Sequence, residues 1–239
     1  EGQWKRYRGK SERWLDGIPM VYSAEYRPEK LDFIANRTHW GQHFKDIRAR
    51  SDLMIVYHAR HSWTGDVNEP GAKGTDKLLR AWAQFRERNP DVRATFVTLE
   101  YGRDVAASKQ LIDELGITDS VVWMPKMYRK DLMVGLMLAD IVPAEFMHSW
   151  VTSGVMYEAL VAGKPILAYR DDSLYSSDGG GLYPIMNARE SDQILAMLEA
   201  YASDPAPFRA IGDAGRQWYD REVAQRAVRR IVDHIRARA

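Results

Sequence analysis

Apolar positions between residues 51 and 204 follow two alternating rhythms. The runs LMIVYHA (53–59), ATFVTLE (94–100) and VVWMPK (121–126) are almost continuously apolar or β-branched and end in polar residues. That pattern predicts strands covered on both faces. The stretches between them have helical spacing. Leu78, Leu79, Trp82 and Phe85 share one face of 76–89, which stops before Pro90. Leu111, Ile112 and Leu115 do the same in 104–116, with Gly116 as the expected cap. The alternation continues with helices over 128–139, 152–163 and 190–204 and strands over 140–146 and 165–171. The glycine-rich loop 176–181 leads to a further apolar run, LYPIM (182–186), and a last helical segment spans 207–238. Strand–helix alternation with short connections predicts right-handed βαβ units and an α/β fold with a doubly wound parallel sheet.

The first fifty residues differ. Lys and Arg outnumber Asp and Glu, the apolar run IPMVYSAEY (18–26) is followed by Pro28, and LDFIANRTHWGQHF has no clean period. The expected organisation is a segment 1–50 followed by one domain over 51–239. Trp14, Phe33 or Trp40 of that segment is expected to leave apolar surface for a covering domain, a partner or a second copy.

A chain of 239 residues can bury a full core. Its 45% hydrophobic and 28% charged content excludes wholesale disorder. A formal net charge of +1 offers no broad basic field for nucleic acid. Without cysteine there is no disulfide, zinc–thiolate site or cysteine nucleophile, which fits a reducing compartment. No apolar stretch approaches the ~18–20 residues that span a bilayer, and the basic start EGQWKRYRGKSERW leads into no signal-peptide core. A start at Glu1 is expected of a processed chain or a piece of a longer one.

In a doubly wound sheet, ligands sit beyond the carboxyl ends of the strands. The longest loop there, 58–75, carries Arg60 and then Lys73-Gly74 at the start of a helix, which would give a phosphate two cations and free backbone N–H groups. A solvated lysine and a surface arginine are the ordinary alternative. Ser153-Gly154 opens another helix, in which Glu158 is the one charge of an apolar stretch and has the reach to accept both hydroxyls of a ribose. No G-x-G-x-x-G follows a strand and no G-x-S-x-G is present. His39 and His43 have i,i+4 spacing without H-E-x-x-H, and no metal is expected. Among the tryptophans, Trp63 and Trp150 fall in candidate loops.

Four segments then resemble, in the same order, the C-terminal donor-binding domain of GT-B glycosyltransferases, the large group that includes many retaining bacterial enzymes. They are MIVYHAR (54–60) with AKGTDKLLRAW (72–82), VVWMPKMYRKDLMVGLMLADIVPAEF (121–146), SGVMYEALVAGKPILAY (153–169) and FRAIGDAGRQWYDREVAQRAVRRIVDHI (208–235). The resemblance implies a Rossmann-like fold, with residues 1–50 a remnant or linker of an N-terminal acceptor-side domain. It implies a nucleoside-diphosphate sugar as donor substrate, no further cofactor, and transfer to an acceptor that is a glycan, a lipid-linked sugar or a small molecule. Arg60, Lys73 and Gly74 would hold the diphosphate, Ser153 and Gly154 would donate N–H groups, and Glu158 would grip the ribose. The turn Met124–Lys126 would receive the base. No catalytic residue is assigned. A cytoplasmic enzyme is implied, with the inner membrane face as a peripheral alternative. Two positions depart from the family pattern: Trp150 stands where a glutamate eight residues before Glu158 is frequent, and Ala59 replaces the glycine of Gly-Arg. They keep open a degenerate sugar-nucleotide-binding or assembly module, and an epimerase-like fragment.

Overall fold

The computed structural model describes residues 21–66, 68, 69, 71–175 and 181–237. Trp14 and the glycine run 176–180 lie outside the described residues. Short helices α1 (Leu31–Ala35) and α2 (Gly41–Ala49) precede strand β1 (Leu53–Tyr57). Helix α3 (Thr75–Arg88), β2 (Ala94–Leu99), α4 (Val105–Glu114), β3 (Val121–Met124) and α5 (Arg129–Leu138) follow. The second half contains β4 (Val142–Pro143), α6 (Gly154–Ala162), β5 (Ile166–Ala168), β6 (Met186–Asn187), α7 (Ser191–Ser203) and α8 (Ala206–Trp218). A π-helical segment, Tyr219–Gln225, leads into α9 (Arg226–Arg236).

All strand pairs are parallel. The ladders β1-β2-β3 and β4-β5-β6 meet where Ile55 bridges Ile141, with the Val56 N–H donating to the Ile141 carbonyl at 3.2 Å. The order is therefore β3-β2-β1-β4-β5-β6, the Rossmann order, and its topological switch point lies between β1 and β4. Alternate residues of β1 enter opposite cores. Leu53, Ile55 and Tyr57 pack with Leu78, Trp82, Phe85 and Leu198, while Met54 and Val56 pack with Phe44, Ile47, Met133 and Leu160. The Trp82 indole N–H donates to Ser120 Oγ at 3.0 Å, so the largest core side chain leaves no buried donor unmet.

Residues before 50 pack against the domain that follows. Phe44 and Ile47 are fully buried in the core that contains the sheet. The Phe44 ring lies so close to Gly135 of α5 that a Cβ there would come within 2.5 Å of it. Val21 and Ser23 are tied to the chain's other end: Tyr219 Oη donates to the Val21 carbonyl at 2.8 Å, and Arg216 donates to the carbonyls of Ser23 and Tyr26. Helices of five and nine residues are too short to show a period, which hides this part of the domain from pattern reading.

The expected run 182–186 pairs only from Met186. The Tyr183 carbonyl instead accepts from the Arg170 guanidinium at 2.9 Å, so its backbone serves a side chain rather than the ladder. Phe33 is exposed as expected and carries the Arg37 guanidinium 3.8 Å above its ring, whereas Trp40 is half-buried. Val228, Ile231 and Ile235 form an exposed apolar stripe on α9. Among the described residues, no helix is long and apolar enough to cross a membrane.

Candidate functional site

The carboxyl ends of β1, β2 and β3 and the start of α6 open onto a cleft of about 470 Å³, walled by His58, Arg60, Lys73, Lys126, Arg129 and Glu158 among others. The loop after β1 is pinned first. Buried His61 donates its backbone N–H to the Tyr101 carbonyl at 2.7 Å, and its two ring nitrogens sit 2.8 Å from the hydroxyls of Ser108 and Thr98. Burial, only partly opposed by Asp104, pushes the His61 pKa down to about 4. Trp63 is structural here, its indole N–H donating to Ser108 Oγ at 2.9 Å.

Lys73 is placed by backbone bonds to both sides of the switch point. Its N–H donates to the Ser62 carbonyl at 2.6 Å and its carbonyl accepts from Phe146 at 3.1 Å. Gly74 follows in the left-handed region (φ 68°) as the N-cap of α3, and a side chain there would press on Phe146 and Met147. The Lys73 ammonium forms an ion pair with Glu145, which β4 delivers at its carboxyl end. Burial raises the Glu145 pKa despite Lys73, and Glu145 Oε1 has no hydrogen-bond partner among the described residues.

Helix α6 supplies the opposite wall. The Ser153 hydroxyl caps it, accepting from the Met156 N–H at 3.3 Å, and Gly154 and Val155 face the cleft. First-turn amides of a helix lack intrahelical acceptors and favour an anion. One turn on, Glu158 Oε2 lies 3.0 Å from His58 Nε2 and Oε1 accepts from Arg129 Nε at 2.8 Å. Burial would raise the Glu158 pKa, but the bonds and charges of His58 and Arg129 outweigh it and hold the carboxyl below its ordinary value.

Five of the eight residues singled out from the sequence, Arg60, Lys73, Lys126, Gly154 and Glu158, line this one cleft. Ser153 and Gly74 support it as caps, and Met124 is buried in the core below. Met127, with Lys126 and Tyr101, forms the wall near the expected base position, and Lys126 Nζ stands 5.1 Å from the Tyr101 ring centroid. Sequence reasoning did not select His58, Arg129 or Tyr101 and did not place Glu145. His148 is bonded to the Glu69 carbonyl at 2.9 Å, and Trp150 is partly exposed in the loop before α6. The cleft wall holds four cations, Arg60, Lys73, Lys126 and Arg129, and one carboxylate, Glu158; Lys73 is paired with Glu145 behind the wall and Arg129 with Glu158.

Anabaena HepE, solved in complex with UDP, superimposes with a TM-score of 0.64 at 16% identity, over 94% of this chain and 57% of that one. The C-terminal domain of a group 1 glycosyl transferase, LpcC from Francisella tularensis, superimposes with a TM-score of 0.52 at 18% identity, over 74% of this chain and 89% of that domain. The fold is that of a GT-B glycosyltransferase C-terminal domain. In sequence, the chain is 26% identical over 153 residues to the GDP-mannose-dependent α-(1-6)-phosphatidylinositol monomannoside mannosyltransferase of Mycolicibacterium smegmatis. That match covers 61% of this chain and 40% of the relative. The chain thus spans about half the length of these two full-length proteins, HepE and the mannosyltransferase. No family model matches it.

Proposed function

We propose that this chain forms the donor-binding part of a glycosyltransferase and takes a nucleoside-diphosphate sugar into the cleft at the switch point. The observation that carries this reading is the convergence of the 60–73 loop with the N-terminus of α6 across a cleft rich in cations. The diphosphate sits between Arg60, Lys73 and the Gly154 and Val155 amides, and the ribose meets Glu158. When the bond between the anomeric carbon and the β-phosphate oxygen breaks, charge builds on the departing diphosphate. Fixed cations and helix amides stabilise that charge more than the ground state, which lowers the barrier. The acceptor hydroxyl comes from outside the described cleft. HepE, solved with UDP, and the GDP-mannose-dependent mannosyltransferase support a nucleotide sugar as ligand.

The test is calorimetric titration with UDP, GDP and the free nucleosides. Lys73→Ala is expected to weaken the diphosphate about tenfold and leave the nucleoside nearly unchanged. Glu158→Gln is expected to weaken both, because a hydrogen bond to a charged acceptor contributes about 1.5–3 kcal/mol. Equal affinities in wild type and both variants would refute the site. The partly exposed Trp150, at the position where the resemblance implies a glutamate, favours a second reading in which the domain binds a sugar nucleotide without turnover. Binding with no release of nucleoside diphosphate in the presence of any acceptor would select it.

A further inference from the structure

Glu158 is held by two elements that are far apart in sequence. Arg129, at the start of α5, holds Oε1, and His58, directly after β1, holds Oε2. The His58 side chain is 3% exposed and its Nδ1 has no partner among the described residues. Among the described residues, the one polar contact of its ring is therefore the bond to Glu158. A carboxylate can only accept, so His58 Nε2 carries the hydrogen.

We infer that His58 is a positioning residue that sets the plane of the Glu158 carboxylate for recognition of a cis-diol. This rests on the reading of Glu158 as the ribose acceptor. An ionised carboxylate has about four lone-pair directions, two on each oxygen. His58 and Arg129 occupy one on each oxygen and, among the described residues, leave one on each. Two adjacent acceptors fixed at the spacing of a carboxylate match two vicinal hydroxyls, and a 2′-deoxyribose satisfies only one of them. With His58 absent, Arg129 alone holds one oxygen, the group is free to turn about its terminal bond, and the paired geometry is lost. His58 thus acts on selectivity between ribose and deoxyribose rather than on the diphosphate, which lies toward Lys73.

The experiment measures the affinity ratio of UDP to 2′-deoxy-UDP (or the corresponding guanine pair, whichever binds), together with the affinity for inorganic pyrophosphate. Two near-isosteric variants separate the bond from the bulk. The amide nitrogen of His58→Gln reaches the Nε2 position, whereas that of His58→Asn reaches only the Nδ1 position. Wild type is expected to prefer the ribonucleotide about tenfold, the value of a hydrogen bond to a charged acceptor. His58→Gln should keep that ratio within about twofold, and His58→Asn should reduce it to about threefold or less, with pyrophosphate affinity unchanged in both. A full ratio in His58→Asn, or equal loss in both variants, would overturn the role of His58. Should His58→Asn fail to fold, loss of the ratio in folded His58→Gln would overturn it equally. A wild-type ratio near one would refute the ribose reading of Glu158, and this inference with it. A tenfold ratio that disappears in Glu158→Gln but survives in His58→Asn would overturn this inference alone.

Discussion

Replacing Glu158 by glutamine should cost stability at neutral pH and nothing in acid. In the wild type, the carboxylate accepts from His58 at 3.0 Å and from Arg129 at 2.8 Å. A hydrogen bond to a charged group contributes about 1.5–3 kcal/mol against roughly 0.5–1.5 for a neutral one, a difference of about 1–1.5 for each bond. The Arg129 side chain is 48% exposed, so water screens and replaces much of its share. The His58 bond is buried and keeps its value. A glutamine can satisfy both neighbours only by donating its amide to His58 Nε2, which forces the ring hydrogen onto Nδ1, where no acceptor waits. The expected loss is about 1–2 kcal/mol, a fall in Tm of roughly 2–8 °C for a domain of this size. The sign with pH follows from the lowered Glu158 pKa. A depressed carboxyl contributes stability above its unfolded value near 4.5 and loses it as pH falls through the folded value. The gap between wild type and Glu158→Gln should thus be full at pH 7 and close as pH falls through the lowered Glu158 value. His61, also held neutral by burial, adds acid sensitivity of its own, but it is present in both proteins and cancels from the difference. Urea unfolding followed by tryptophan fluorescence at pH 7, 5 and 3 reads the gap directly. Equal stability at pH 7, or a gap of constant size across that range, would refute the reasoning.

Two further outcomes are expected. Burial raises the Glu145 pKa, so its ionised form costs stability at neutral pH, and this cost vanishes below the ordinary carboxyl value. Glu145→Gln should therefore match or exceed wild-type stability at pH 7. It should also tighten nucleoside-diphosphate binding, because it removes a negative charge paired with Lys73; weaker binding by calorimetry would show instead that Glu145 holds Lys73 in place. Gly135→Ala puts a Cβ within 2.5 Å of the Phe44 ring and should cost about 1–3 kcal/mol in urea unfolding. Phe44→Leu should recover part of that loss, and additive losses would mean that the two sites do not touch.

The parallel sheet was legible because a strand covered on both faces leaves a run with no polar face, and five such runs became β1 to β5 in the expected places. Where a strand is replaced by side-chain bonding, as at Tyr183, the run still looks apolar and reading the pattern overextends it. The helices at 31–35 and 41–49 failed for the opposite reason. Their buried residues, Ile34, Ala35, Phe44 and Ile47, are too few to show a period, although they close one face of the core.

The cleft was legible to the extent that its residues stand out from their surroundings. Lys73 precedes a glycine at a helix start, and Glu158 is the one charge in an apolar helix. Their buried partners do not stand out. His58 and Glu145 terminate apolar runs, and a polar residue there reads as an ordinary strand stop. In a parallel sheet the same residue also faces the ligand edge, so stop and site coincide and periodicity cannot separate them. What separates them is the partner. His58 meets Glu158 100 positions later in a buried pair, and Glu145 meets Lys73 72 positions earlier in a partly buried one. At the amino edge of β1, Asp52 meets Arg93 beside the next strand, and both side chains are well exposed. That pair sits in solvent and contributes little. A polar residue ending an apolar run thus becomes a site candidate when a second element holds a lone charge that it can meet. The apolar helix that carries Glu158 was such an element, and the histidine at the end of β1 was its counterpart.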